Sequence, residues 1–301
     1  MRITVWFYRR FGRRLSALFI LPVVAYFFLT DGRGRRASRQ YLGRVYALPA
    51  GRAALGRRPG LRESFRHYRE FGLNVLDRLC FAVGDESLDV VFHGREHFGE
   101  LIAARRGALL LGAHLGSFDA LRALATQAGI VVHVLMFTRH APRINALLRR
   151  LNPDVDVRVV DLAEASLDAV FRLRGCVERG EFVAILGDRV GAGERARVAH
   201  APFLGAPAPF PQGPFILASA LRCPVLLMVG LRRSRGRYDV FAEPLVERVV
   251  LPPAEHARRL DELVAAYARR LEWYCLQAPY QWFNFFDFWD DERLASGSAP
   301  A

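Results

Sequence analysis

From about residue 88 onward, short uninterrupted apolar runs alternate with longer stretches of helical periodicity, and this alternation leaves few folds open. The runs are LDVVFH (88–93), ALLLGA (108–113), IVVHVLMF (130–137), VDVRVVD (155–161), FVAILGD (182–188), CPVLLMVGL (223–231) and RYDVFAE (237–243). Each has the length of a strand, and most are apolar at successive positions rather than alternate ones. Strands of that kind need both faces covered. Helical patterns lie between them, near 97–105, 118–127, 142–151, 163–179 and 213–221. The expectation is an α/β fold, a mostly parallel central sheet flanked by helices. A last helix near 254–277 leads into an aromatic tail, YQWFNFFDFW, and ASGSAPA (295–301) reads as a frayed terminus.

The N-terminal part is different. Residues 15–29, LSALFILPVVAYFFL, are almost wholly apolar and are flanked by arginines at 9, 10, 13 and 14 and at 33, 35 and 36. As a helix this run spans roughly 22 Å, short of the roughly 30 Å hydrocarbon core of a bilayer, and Pro22 kinks it. The segment reads as a membrane-embedded or interfacial anchor whose arginines meet anionic headgroups, against the plainer reading of an apolar helix packed on the domain. A signal peptide lacks its small-residue cleavage site here. Residues 37–47 form a short basic helix. Residues 62–82 place Phe65, Tyr68, Phe71, Val75, Leu76 and Leu79 at helical spacing. The chain divides into 1–36 (membrane segment), 37–87 (helical region), 88–294 (α/β domain) and 295–301 (disordered tail).

Composition narrows the partners. All 43 basic residues other than histidine are arginine, and the net charge is +13. Such a surface suits an anionic membrane, a phosphorylated substrate or an acidic carrier protein. No nucleic-acid-binding signature is present, and the arginines are dispersed, so nucleic acid is not an expected partner. Cys80, Cys176, Cys223 and Cys275 are far apart and unpaired in pattern, and read as buried thiols.

In an open α/β sheet, ligands gather beyond the carboxyl ends of the strands. His114 stands just past the 108–113 run, in LLLGAHLGSFDAL, and Asp119 follows in the first turn of the next helix, where Ser117 can cap. An ionised carboxylate beside the imidazole fixes its tautomer and leaves the other nitrogen free to accept a proton. Gly112 and Gly116 permit the turn that such a pair needs. Arg139 and Arg189 emerge at the same edge, after the 130–137 and 182–188 runs. Either can stabilise an oxyanion or hold a phosphate, or pair with local carboxylates, and Asp188 can orient Arg189. His133 reads as a core histidine. HGREH (93–97) matches a zinc pattern that requires a helix, but it straddles a strand end, so no metal site is expected.

GAHLGSFDALRAL, GDRV (187–190), FLGAPAPFPQGPFILA (203–218) and the N-terminal LPVVAYFFLTDGRGRRASRQYL, in order, resemble the bacterial lipid A late acyltransferase family. That family is part of the wider lysophospholipid acyltransferase superfamily. The likeness extends to WFNFFDFW. It implies transfer of a fatty acyl group from an acyl carrier protein or coenzyme A thioester to a lipid hydroxyl, at the cytoplasmic face of a bacterial inner membrane. His114 would be the general base and Asp119 its orienting acid, by the match to an H-x-x-x-x-[DE] motif. Many lipid A enzymes carry glutamate where this chain has Asp119. The acceptor is accordingly a lipid A precursor, another lipid or an aryl-polyene-type lipid. FPQGP stands where the superfamily often has a phosphate-binding F-P-E-G segment. Gln212 replaces the acid, while Gly213 can still open a turn at a helix N-terminus that favours anions. No bound metal or organic cofactor is expected. A non-catalytic lipid-binding scaffold and an acyl-thioester hydrolase are the alternative readings.

Overall fold

The apolar runs become strands, and their order in space places the site. The computed structural model describes residues 2–82, 88–127, 129–136, 157–161, 167–190, 197–234 and 236–289. In chain order the strands are β1 (Asp89–His93), β2 (Leu109–Gly112), β3 (Val132–Met136), β4 (Val157–Asp161), β5 (Phe182–Leu186), β6 (Val198–Phe203), β7 (Ala206–Pro211), β8 (Val225–Arg232) and β9 (Arg237–Val246). Seven of them form one sheet in the order β1-β9-β8-β2-β5-β3-β4. From β8 to β4 every pairing is parallel. β9 turns back antiparallel to β8, and β1 runs parallel to β9. The mostly parallel α/β expectation is met.

β6 and β7 form a separate antiparallel ribbon in which His200 faces Pro209 and Pro202 faces Pro207. Proline cannot donate to a ladder, so it is confined to strands with a free edge. A two-stranded ribbon provides one. That is why a segment with prolines at 202, 207, 209 and 211 gives no strand signal in the sequence yet pairs here.

The helices are α1 (Arg2–Thr30), α2 (Gly32–Ala47), α3 (Pro49–Leu55), α4 (Leu61–Ala82), α5 (Arg95–Ala103), α6 (Phe118–Gln127), α7 (Leu167–Glu178), α8 (Gly213–Leu221) and α9 (His256–Gln277). The expected helix at 142–151 lies outside the described residues. α1 is broken at Gly12, whose φ is 73°. Arg13 of α1 grips the buried Asp77 of α4 through two hydrogen bonds of 2.8 Å, and Tyr238 of β9 donates to the same carboxylate. α1 thus packs on the domain through one face. Its other face leaves Leu18, Phe19, Val23, Tyr26, Phe27 and Leu29 exposed. Among the described residues no single helix is long and apolar enough to cross a membrane. Leu15–Thr30 and Gly32–Ala47 pass only as a pair bent by 94°.

The aromatic tail after α9 packs into the core. Trp282 is fully buried, its ring packed against Tyr41 of α2 and Phe203 of β6. Its carbonyl lies 2.8 Å from Nε2 of His67, a buried residue of α4 whose Nδ1 is 3.1 Å from Ser38 Oγ. A carbonyl only accepts, so Nε2–H donates to it. In the neutral ring Nδ1 then accepts from Ser38, whose oxygen accepts from Ser64 at 2.9 Å.

Burial pushes the His67 pKa down to about 4, the carbonyl contact opposing only in part. An unfolded histidine titrates near 6.5, so stability from the neutral ring is complete above that value. It is lost as the pH falls towards 4, by about 3 kcal/mol in all. His67→Gln keeps a donor but cannot ionise. Urea unfolding at pH 7 and pH 4 should show the pH 4 penalty reduced by about that amount in the variant.

Candidate active site

The parallel pairing of β2 with β5 sets Gly112 opposite Leu186, and Gly187 N–H donates to Gly112 O at 3.0 Å. Two steps beyond that row, on each strand, stand His114 and Asp188. The register alone makes them neighbours. His114 Nδ1 lies 2.8 Å from Asp188 Oδ1, and the His114 backbone N–H donates to Asp188 Oδ2 at 2.8 Å. Trp282 Nε1–H donates to Oδ2 as well, at 2.9 Å. The Asp188 side chain is 1% exposed, and that of His114 is 29% exposed.

Burial works against ionisation of Asp188. The facing His114, Arg189 and the Trp282 donor outweigh it, and its pKa lies below the ordinary carboxylate range. An ionised carboxylate only accepts, so the proton on the neutral imidazole sits on Nδ1. Nε2 is left as the acceptor.

The carboxylate at His114 is therefore not the one expected. Asp119 accepts a hydrogen bond from Arg78 Nε of α4 at 3.0 Å. It occupies the first turn of α6, whose cap is the expected one: Ser117 Oγ accepts from Ala120 N–H at 3.3 Å. Asp188, expected to orient Arg189, holds His114, and its charge also acts on Arg189. Strand register across some seventy residues brings this pair together, whereas the search for a partner within a few residues finds only Asp119. The signal in the sequence was the matching strand ends, LLLGAH and AILGDR.

Arg189 Nη2–H donates to Phe283 O at 3.0 Å, and its guanidinium lies 5.4 Å from the Phe286 ring centroid. Its Nε is buried without a hydrogen-bond partner. Desolvation lowers its pKa, with Asp188 opposing. Arg139 lies outside the described residues. Gly213 opens α8 after the β6–β7 ribbon, with no side-chain cap from Gln212. Among the described residues no hydrogen bond joins Gly213 to the His114 group.

His133 is buried, as expected, with Nε2 2.5 Å from Glu181 Oε2. These two and Cys176 are the one group among the described residues whose ligand atoms lie within 4.8 Å of one another. Arg179 already donates to both Cys176 Sγ and Glu181 Oε1. Burial notwithstanding, His133 and Arg179 hold Glu181 down at about 2. The group lies at the amino ends of β3 and β5, away from His114.

The turn that presents His114 is clamped on every side. Gly116 N–H donates to Gln281 O at 2.8 Å, and Phe283 N–H donates to His114 O at 2.8 Å. Ser117 N–H donates to Gly230 O at 2.7 Å. Asn74 of α4 donates to Gly116 O at 2.8 Å. Gly116 has φ 70°, and a Cβ there would stand 2.0 Å from Gly230 O. Gly116→Ala combines left-handed strain with a backbone collision. It should lower stability by at least about 2 kcal/mol, a fall on the order of 5 °C in the thermal midpoint.

Comparison with known proteins bears on this geometry. No curated protein matches the chain. The family model described as bacterial lipid A biosynthesis acyltransferase matches residues 68–290, a span that holds most of α4, the whole sheet, His114, Asp188 and Trp282. The chain belongs to the bacterial lipid A biosynthesis acyltransferase family.

Proposed function

We propose that this acyltransferase moves a fatty acyl group from an acyl carrier protein or coenzyme A thioester to a lipid hydroxyl, with His114 as general base. The observation that carries the reading is the His114–Asp188 pair at the carboxyl edge of the sheet. Its imidazole is partly exposed, Nδ1 is engaged and Nε2 is free to accept. A hydroxyl is a weak nucleophile at neutral pH. Proton removal by Nε2 as the oxygen attacks the thioester carbonyl is worth about 10²–10⁴-fold.

The carbonyl carbon becomes tetrahedral and its oxygen anionic. The C–S bond then breaks, the sulfur takes the proton from the imidazolium, and an ester and a free thiol leave. Asp188 stays ionised throughout and stabilises the imidazolium. On this reading Arg189, whose buried Nε–H has no partner, supplies a donor to the oxyanion or to a substrate phosphate. Asp119 serves the turn through Arg78 rather than the imidazole. The reaction needs neither a metal nor a bound organic cofactor.

An Asp119 turned away from the histidine would by itself favour a non-catalytic lipid-binding scaffold. Asp188 in the expected place of the acid removes that argument. Attachment to the cytoplasmic face of the inner membrane through α1 fits the exposed apolar face of that helix and the +13 charge.

With purified protein, an acyl thioester and a bacterial lipid extract, His114→Ala should lower turnover by about 10²–10⁴-fold. Asp188→Asn should cost at least about 10²-fold, as for other carboxylates that fix a catalytic histidine. Asp119→Asn should stay within about tenfold. Product analysis separates the alternatives: free fatty acid without an acceptor marks a hydrolase, and no thioester consumption marks a scaffold. Unchanged turnover in His114→Ala overturns the assignment.

A further inference from the structure

The outer face of α2 carries a feature that the reaction does not use. A groove of about 780 Å³ lies between α2 and the segment leading from α3 to α4, lined by Arg36, Arg39, Gln40, Tyr46, Arg58 and Pro59 among others. No carboxylate lines it. Arg36, Arg39 and Arg58 are exposed, and among the described residues no hydrogen bond or ion pair engages their guanidinium groups, whereas Arg57 beside them pairs with Glu63 at 3.0 Å. Gln40 Oε1 is buried without a hydrogen-bond partner. Three cations without counter-charge and one unsatisfied acceptor describe the complement of a particular ligand. It carries an anionic group together with a hydroxyl or ammonium donor.

The groove is separate from the active site. Tyr41, on the opposite side of α2, packs its ring 5.0 Å from that of Trp282, the residue that donates to Asp188. At 100° per residue, Arg36, Gly43 and Ala47 stand far around the helix from Tyr41, so the body of α2 lies between groove and imidazole. α2 also begins immediately after α1, whose apolar residues Phe27 and Leu29 are exposed. An exposed apolar helix directly preceding α2 favours a lipid held by its headgroup over a soluble phosphate compound.

We propose that the groove binds the headgroup of an anionic phospholipid. The phosphate lies among Arg36, Arg39 and Arg58, and a headgroup hydroxyl donates to Gln40 Oε1. It would act as a headgroup clamp distinct from the acyl-acceptor site. The proposal shares with the reading above only membrane attachment through α1. Vesicle binding is scored without turnover, so either idea can fail alone.

The test is co-sedimentation of the full chain with vesicles of phosphatidylcholine, with and without about one-third phosphatidylglycerol. Wild type should favour the phosphatidylglycerol vesicles. The triple variant Arg36→Gln, Arg39→Gln, Arg58→Gln should lose that preference, at about fivefold per arginine and on the order of 100-fold together. A control of equal charge, Arg222→Gln, Arg248→Gln, Arg269→Gln, removes three exposed arginines elsewhere and should lose far less. Gln40→Leu should weaken binding to phosphatidylglycerol by about fivefold while leaving phosphatidylmethanol vesicles unaffected, because a methyl-capped phosphodiester has no hydroxyl or ammonium to donate. An equal loss in the control would reduce the effect to bulk charge and overturn the proposal. So would full vesicle binding by the groove variant, including the case where glycerophosphoglycerol in solution binds the groove but vesicles do not need it.

Discussion

Asp188 is a carboxylate taken almost wholly out of water, and isolated burial of such a charge is among the costliest events in folding. It remains ionised because three donors converge on it: the backbone and ring of His114 and the indole of Trp282. The acid and its donors come from three separate parts of the chain: His114 stands two residues past β2, Asp188 two residues past β5, and Trp282 in the tail after α9. The same contacts that stabilise the charge therefore close the fold around its carboxyl edge. Losing any one donor would leave part of a buried charge unsatisfied, which costs more than the bond itself is worth.

Much of this was legible in the sequence. All seven apolar runs became strands of one sheet, and the helix at 118–127 begins and ends where its pattern says. His114 was visible because strand ends in such sheets collect ligands. Its partner was not. Spacing within a segment is a local property, and Asp119 satisfies it, but pairing across parallel strands depends on register. Register is fixed by how two hydrophobic faces settle against the same helices. The β6–β7 ribbon was hidden for another physical reason, since its prolines mask a strand that has a free edge to spend on them. The aromatic tail carries no periodic pattern that assigns it a role. Burial of Trp282 and Phe288 identifies these two as core residues, while Trp282 also carries a polar donor to the site.

α4 links the N-terminal helices to this edge. His67, Phe71, Asn74 and Arg78 recur at spacings of four, three and four, one stripe of a helix. They meet, in turn, the carbonyl of Trp282, the ring of Phe283, the carbonyl of Gly116 and the carboxylate of Asp119. The neighbouring stripe meets α1. Asp77 takes Arg13, and a Cβ on Gly72 would come within 2.5 Å of Val24, so only glycine lets the two helices approach this closely.

One helix thus meets the apolar N-terminal helix on one side and the turn that carries His114 on the other, so that α1 and this turn pack against the same helix. Asp119 makes sense in that light. It sits at the positive end of α6 and accepts from Arg78, so it fixes the angle between the helix after the histidine and the helix that carries α1. The two acids occupy different places: Asp188 faces the ring of His114, and Asp119 ties the first turn of α6 to α4.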